Sequence, residues 1–149
     1  MFKKILVAID GSEQSVKAAR AAIDIASKNG GEIHLLHVVR PPAFDYSGVD
    51  FTGSMLPPEI PDYLIDEWSK VGQLILDKAR KEVESEDVQT TIEVGMGDPA
   101  QVICDTAEKG NYELIVMGRR GVGGLGGLLL GSVSNRVLQL ASCPVLIVH

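Results

Sequence analysis

Leu114–Asn135 reads LIVMGRRGVGGLGGLLLGSVSN, and the order of its parts decides the fold. Leu114-Ile115-Val116-Met117 is a short continuous apolar run, the pattern of a strand buried on both faces. It ends at Gly118, and further glycines follow at 121, 123, 124, 126, 127 and 131. Ser132 then opens a helical pattern. Strand, glycine-rich loop and helix N-terminus in that order make an anion cradle. Glycine lets the main chain approach a phosphate closely, and the first helical turn adds unpaired N–H groups and the positive end of a dipole. The charge distribution agrees. The chain carries a formal charge of −6, yet no Asp or Glu occurs from Leu114 to His149, where Arg119, Arg120 and Arg136 give +3.

Working outward, strands and helices alternate, which signals a parallel α/β sheet. The first strand is expected at Lys3–Ile9. A helix follows from Ser12, a plausible N-cap, to Asn29, with Gly30-Gly31 as its stop. Its inward stripe reads Val16, Ala19, Ala22, Ile23 and Ala26. A second strand spans Ile33–Val39. A second helix from Asp62 to about Glu84 carries the stripe Leu64, Trp68, Val71, Ile75 and Ala79. The third strand is Gln89–Val94. Asp98-Pro99 reads as N-cap and N1 of a third helix ending near Gly110. The remaining elements are strand Glu113–Met117, helix Ser132 to about Leu140 and strand Val145–Val148. No internal repeat or linker breaks residues 1–149, so one domain is expected.

Two phosphate motifs fail on inspection. Walker A needs Gly-Lys-Ser/Thr, and no lysine follows Lys109. The dinucleotide fingerprint occurs literally at Gly121-Val122-Gly123-Gly124-Leu125-Gly126. It follows a late strand, however, and lacks an acidic residue about 20 positions on for the ribose. A third pattern fits: Gly118-x2-Gly121-x9-Gly131-Ser132, preceded by the strand through Met117 and followed by Val133-Ser134. With Lys3–Ser12 (KKILVAIDGS), Leu35-Leu36-His37-Val38 and Cys143–Val148 (CPVLIV), it resembles the universal stress protein family over essentially the whole chain. Extra glycines at 123, 124, 126 and 127 are a departure within the spacer.

The resemblance implies a doubly wound, flavodoxin- or Rossmann-like parallel sheet of five strands in order 3-2-1-4-5. Ligands of such sheets bind where neighbouring strands send their crossovers in opposite directions. Here that point lies between Ile9-Asp10 and Met117-Gly118. The implied ligand is ATP, or ADP or AMP. Gly118, Gly121, Gly131 and Ser132 would hold phosphates, with Val133 and Ser134 extending the contact. Ala8, Ile9, Val38 and Met117 would surround the base. Arg120 is a candidate for the phosphates, with surface solvation the alternative for it and for Arg119. Asp10 would repel a phosphate. It suits the nucleoside, a Mg2+ or Mn2+ ion held mainly by the phosphates, or the capping turn of the first helix. The expected function is a stress-response or signalling regulator acting through nucleotide-dependent conformation; a slow metal-dependent ATPase or phosphotransferase is the alternative. The resemblance also implies a homodimer through strand 144–148, where an apolar sheet edge needs covering. An unidentified protein partner fits a regulatory role.

Other chemistries find little support. His34, His37 and His149 have no metal-ligand spacing, and His34 and His37 face opposite sides of one strand. No Ser-His-Asp constellation is visible. The negative charge argues against nucleic acid and membrane surfaces as partners. No apolar run approaches the ~20 residues of a membrane span. The start Met-Phe-Lys-Lys enters a strand at once, leaving no room for a signal peptide. Cys104 and Cys143 are unclustered thiols, which fits a cytoplasmic protein. The segment 40–61, with five prolines and Phe44, Tyr46 and Phe51, reads either as a solvated insertion or as a lid or partner surface. Composition does not choose between them.

Overall fold

The computed structural model describes residues 1–41, 60–119 and 130–149. Arg120, Gly121, the glycines of the spacer and most of segment 40–61 lie outside them. The element order is β1 (Lys4–Ala8), α1 (Glu13–Asn29), β2 (Glu32–Val39), α2 (Asp62–Glu82), β3 (Gln89–Met96), α3 (Pro99–Lys109), β4 (Leu114–Gly118), α4 (Ser132–Leu140) and β5 (Val145–Val148). The strands form one five-stranded sheet in the order β3-β2-β1-β4-β5, with every pairing parallel.

Each crossover between parallel strands is right-handed for steric reasons. The chain moves outward from β1 through β2 to β3, so α1 and α2 cover one face. It then returns to β4 and moves outward again to β5, which puts α3 and α4 on the other. The central strands are therefore buried on both sides. Ile5, Val7, Leu114 and Val116 pack toward α1 and α2, while Leu6, Ile115 and Met117 pack toward α3 and α4. This explains why the strands read as continuous apolar runs rather than alternating ones.

Helix ends follow the expected chemistry. Ser12 caps α1 by accepting from the Ser15 amide, and Gly30 closes that helix in the left-handed region at φ 62°. Asp98 caps α3, and Pro99 occupies its first turn.

The buried face of α2 differs from the expected stripe. Val71 is 55% exposed, and Gly72, Leu76 and Ala79 are the buried residues. The cause is a close approach. A Cβ on Gly72 would stand 3.0 Å from both His37 Cδ2 and Val94 Cγ1. The helix leans on the sheet through a residue with no side chain, to which hydrophobic periodicity gives no weight.

Candidate functional site

The order β2-β1-β4 places the crevice at the C-terminal ends of β1 and β4. Its floor comes from strand alternation. Ala8, Val38 and Met117 all belong to the cluster on the α3/α4 face, and Val133 packs against that cluster from α4. These four expected residues are brought together. The Ile9 side chain is not with them, although its backbone continues directly from Ala8. Its side chain is 2% exposed and packs toward α1 and α2. Its amide donates to the Leu36 carbonyl at 2.8 Å. His37 Nδ1 lies 2.8 Å from the Ile9 carbonyl oxygen. A carbonyl only accepts, so Nδ1 carries the proton and donates. His37, read from sequence as structural, thus ties the end of β2 to the end of β1.

Asp10 follows β1. Its Oδ1 accepts from the Ser12 amide at 2.9 Å and the Ser12 hydroxyl at 2.5 Å. Ser12 Oγ in turn accepts from the Ser15 amide at 3.1 Å. The carboxylate therefore orients the N-cap of α1.

On the other side of the crevice, Gly118 ends β4 and is 16 residues from its partner in α4. Its carbonyl accepts a hydrogen bond from Ser134 Oγ at 2.9 Å, and Ser134 is buried. The next carbonyl, of Arg119, accepts from the Gly131 amide at 2.9 Å. The Arg119 amide continues the β4–β5 ladder to the Val148 carbonyl at 2.9 Å. The glycine-rich excursion thus leaves and returns at one hydrogen-bonded point, although Arg120 and Gly121 within it lie outside the described residues.

The first turn of α4 contrasts with those of α1 and α3. Gly131 stands at the N-cap position, and no side chain caps the turn. The helix ladder begins with the Asn135 amide donating to the Gly131 carbonyl at 3.0 Å. The amides of Ser132, Val133 and Ser134 precede it and find no acceptor among the described residues. α2 also starts without a side-chain cap, after Pro61, but it follows β2, whereas α4 follows β4. The Ser132 side chain is exposed at this mouth.

The positive charge noted in the sequence is partly balanced by the fold. Arg136 Nη1 lies 3.5 Å from Asp98 Oδ1, joining α4 to the N-cap of α3. Gly131 has φ −61° and ψ 155°, an extended conformation open to any residue. A left-handed backbone therefore does not require glycine here. Among the described residues no group of three His, Cys, Asp or Glu side chains could hold a metal.

A sheet wound in both directions from β1 and β4, with a helix that lacks a side-chain cap following β4, defines a doubly wound α/β protein. The model of the Universal stress protein family matches residues 1–149, and the chain belongs to that family. Universal stress protein YxiE of Bacillus subtilis is 42% identical to it over 150 residues, covering all of both chains. Among solved structures, hypothetical protein MJ0577 superposes with a TM-score of 0.80 at 26% identity, covering 99% of this chain and 96% of that one. A universal stress protein from Archaeoglobus fulgidus, solved in complex with dAMP, gives a TM-score of 0.66 at 19% identity with both chains fully covered. At that identity the likeness speaks to the fold. Among the described residues no helix is long and apolar enough to cross a membrane.

Proposed function

We propose that the chain is a single adenine-nucleotide-binding unit, taking ATP, or ADP or AMP, and that it acts as a cytoplasmic stress-response or signalling regulator. The observation that carries this reading is the open first turn of α4. Three successive amides, a helix dipole and the exposed Ser132 hydroxyl gather at the residues that the glycine spacing marks for phosphate, which supports the reading. Ala8, Val38 and Met117 supply an apolar wall on the same face, suited to a purine ring. Arg120 and Gly121 complete the pattern in sequence. Ile9 contributes by shaping the strand end and not by side-chain contact. That a distant relative of this fold was solved with dAMP is consistent with an adenine ligand.

Any Mg2+ or Mn2+ enters on the phosphates, with Asp10 as the neighbouring carboxylate. Asp10 already orients the Ser12 cap, which argues against its use as a base in rapid hydrolysis. Regulation then follows from a nucleotide-dependent conformation that changes a surface offered to a protein partner. The dimer is proposed to form by pairing of 144–148 with its two-fold copy, since β5 ends the sheet.

The test is calorimetric titration of nucleotide-free protein. A dissociation constant in the micromolar range (about −8 kcal/mol at 1 μM) is expected for ATP, tighter with Mg2+ or Mn2+. Absence of heat with ATP, ADP and AMP alike overturns the reading.

A further inference from the structure

We propose that the Ser134 side chain positions this site and that its hydroxyl is not a ligand to the nucleotide, the Ser134 amide remaining one of the three open donors. The inference rests on the nucleotide reading for its functional meaning, but its structural half stands alone. The family pattern places Ser134 on the phosphate. The fold gives its hydroxyl to the chain instead.

A serine hydroxyl has one proton. That of Ser134 goes to the Gly118 carbonyl at 2.9 Å, in a residue only 3% exposed. An ionised phosphate oxygen accepts and does not donate. Ser134 Oγ therefore has nothing to offer it while this bond holds. The exposed Ser132 supplies the free hydroxyl.

The bond has two consequences at the crevice. First, it pins the first turn of α4 to the last residue of β4. Gly118 is held from the other side as well, because its Cα faces Gln14 of α1 at close range. The three open amides of α4 are thereby fixed relative to the central sheet. Second, it engages an acceptor at the end of β4 with a donor from α4. The carbonyls of Gly118 and Arg119 lie at the end of β4, beside the first turn of α4. Both are consumed from α4, one by Ser134 Oγ and the next by the Gly131 amide. The helix end thus presents donors while the strand end's acceptors are already occupied. Electrostatic preorganisation of this kind lets donors meet an anion without rearrangement.

The experiment compares Ser134→Ala, Ser134→Thr, Ser132→Ala and Val137→Ala with the parent. Affinities for ATP and for adenosine are measured by calorimetry. Amide exchange over 131–135 is followed in the ligand-free protein. Ser134→Ala should weaken ATP about tenfold, a loss of the size of one hydrogen bond. Adenosine should change less than about twofold, since the base wall is untouched. Exchange over the first turn of α4 should quicken. Ser134→Thr keeps the hydroxyl and should restore both slow exchange and the parent's preference for ATP. Val137→Ala loosens the same helix in the core, so it should lower stability without changing the ATP-to-adenosine ratio. Ser132→Ala should weaken ATP with no change in exchange. Loss of ATP affinity in Ser134→Ala with unchanged exchange would make Ser134 a direct ligand and overturn the proposal. So would unchanged exchange and unchanged affinity. If the parent binds no nucleotide, the functional reading fails, and the exchange comparison alone decides the latch.

Discussion

Gly118 at the end of β4 and Gln14 in the first turn of α1 are in such close approach that a Cβ on Gly118 would lie 3.0 Å from Gln14 Cβ and 3.1 Å from its carbonyl carbon. Glycine is thus required here by the packing of α1 on the sheet, before any ligand is considered. Gly118→Ala should cost about 1–3 kcal/mol, the usual range for overpacking. Thermal and denaturant unfolding of ligand-free protein measures this. A variant as stable as the parent would show that α1 shifts at no cost.

Gly131→Val should behave differently. The residue has φ −61°, so a side chain brings no left-handed strain. The fold should hold, with a stability change within about 1 kcal/mol, while a branched side chain obstructs phosphate approach at the N-cap. ATP binding should fall at least tenfold with the circular dichroism spectrum unchanged. Undiminished ATP binding would place the cradle elsewhere.

Asp10→Ala removes the acceptor of two hydrogen bonds from Ser12, and the cap of α1 loses its support. A stability loss of about 0.5–2 kcal/mol is expected, the range for a disrupted N-cap. Nucleotide affinity should weaken with it. Phosphate release should stay far below about one turnover per second in parent and variant alike. A faster parent whose activity vanishes in the variant would favour the phosphotransferase alternative.

The two thiols predict an alkaline limit to stability. Burial raises Cys104, helped by Cys143 and then Asp105. Burial also raises Cys143, against lowering by backbone hydrogen bonds. Tyr112 is raised by burial and by Glu93 and Glu32. All three are neutral when protonated, so the folded state holds its protons longer than the unfolded state. Their contribution is fully present below about pH 8.5, the ordinary thiol value, and is lost as pH rises through the folded values. The melting temperature should fall with pH above that point. The slope should be shallower in Cys104→Ala, though that variant starts lower for lost packing. Equal slopes would remove the thiol contribution.

β5 is a sheet edge of four residues, with Leu146 37% exposed. α4, the helix leading into it, adds Leu138 and Leu140 at 43% and 45%. An apolar edge invites pairing with a second copy. Leu146→Pro, which removes a ladder donor, should give monomer or lose solubility. Light scattering that finds the parent monomeric at about 100 μM, corresponding to weaker than roughly −5.5 kcal/mol, would reject the dimer.

The element order was legible because its signals are local. Ser12, Gly30, Asp98-Pro99 and the apolar run at Leu114 each announce a boundary through backbone chemistry acting over a few residues. β5 and α4 begin where the sequence places them. Central strands and their parallel pairing also follow, since only strands covered on both faces read as unbroken apolar runs.

The roles of individual residues at the crevice depended on contacts between distant elements. An unbroken apolar strand does not say which of its residues face which helix layer, so Ala8 and Ile9 looked equivalent until the sheet divided them. The buried face of α2 was hidden because its nearest approach is made by Gly72, which periodicity does not count. Ser134 looked like a phosphate ligand by its place in the motif. Its proton instead finds Gly118, a carbonyl that only the packing of α4 against β4 brings within reach. Helix caps and strand patterns are written in neighbouring residues, whereas the destination of a single hydroxyl proton is set by which distant acceptor the packed fold delivers to it.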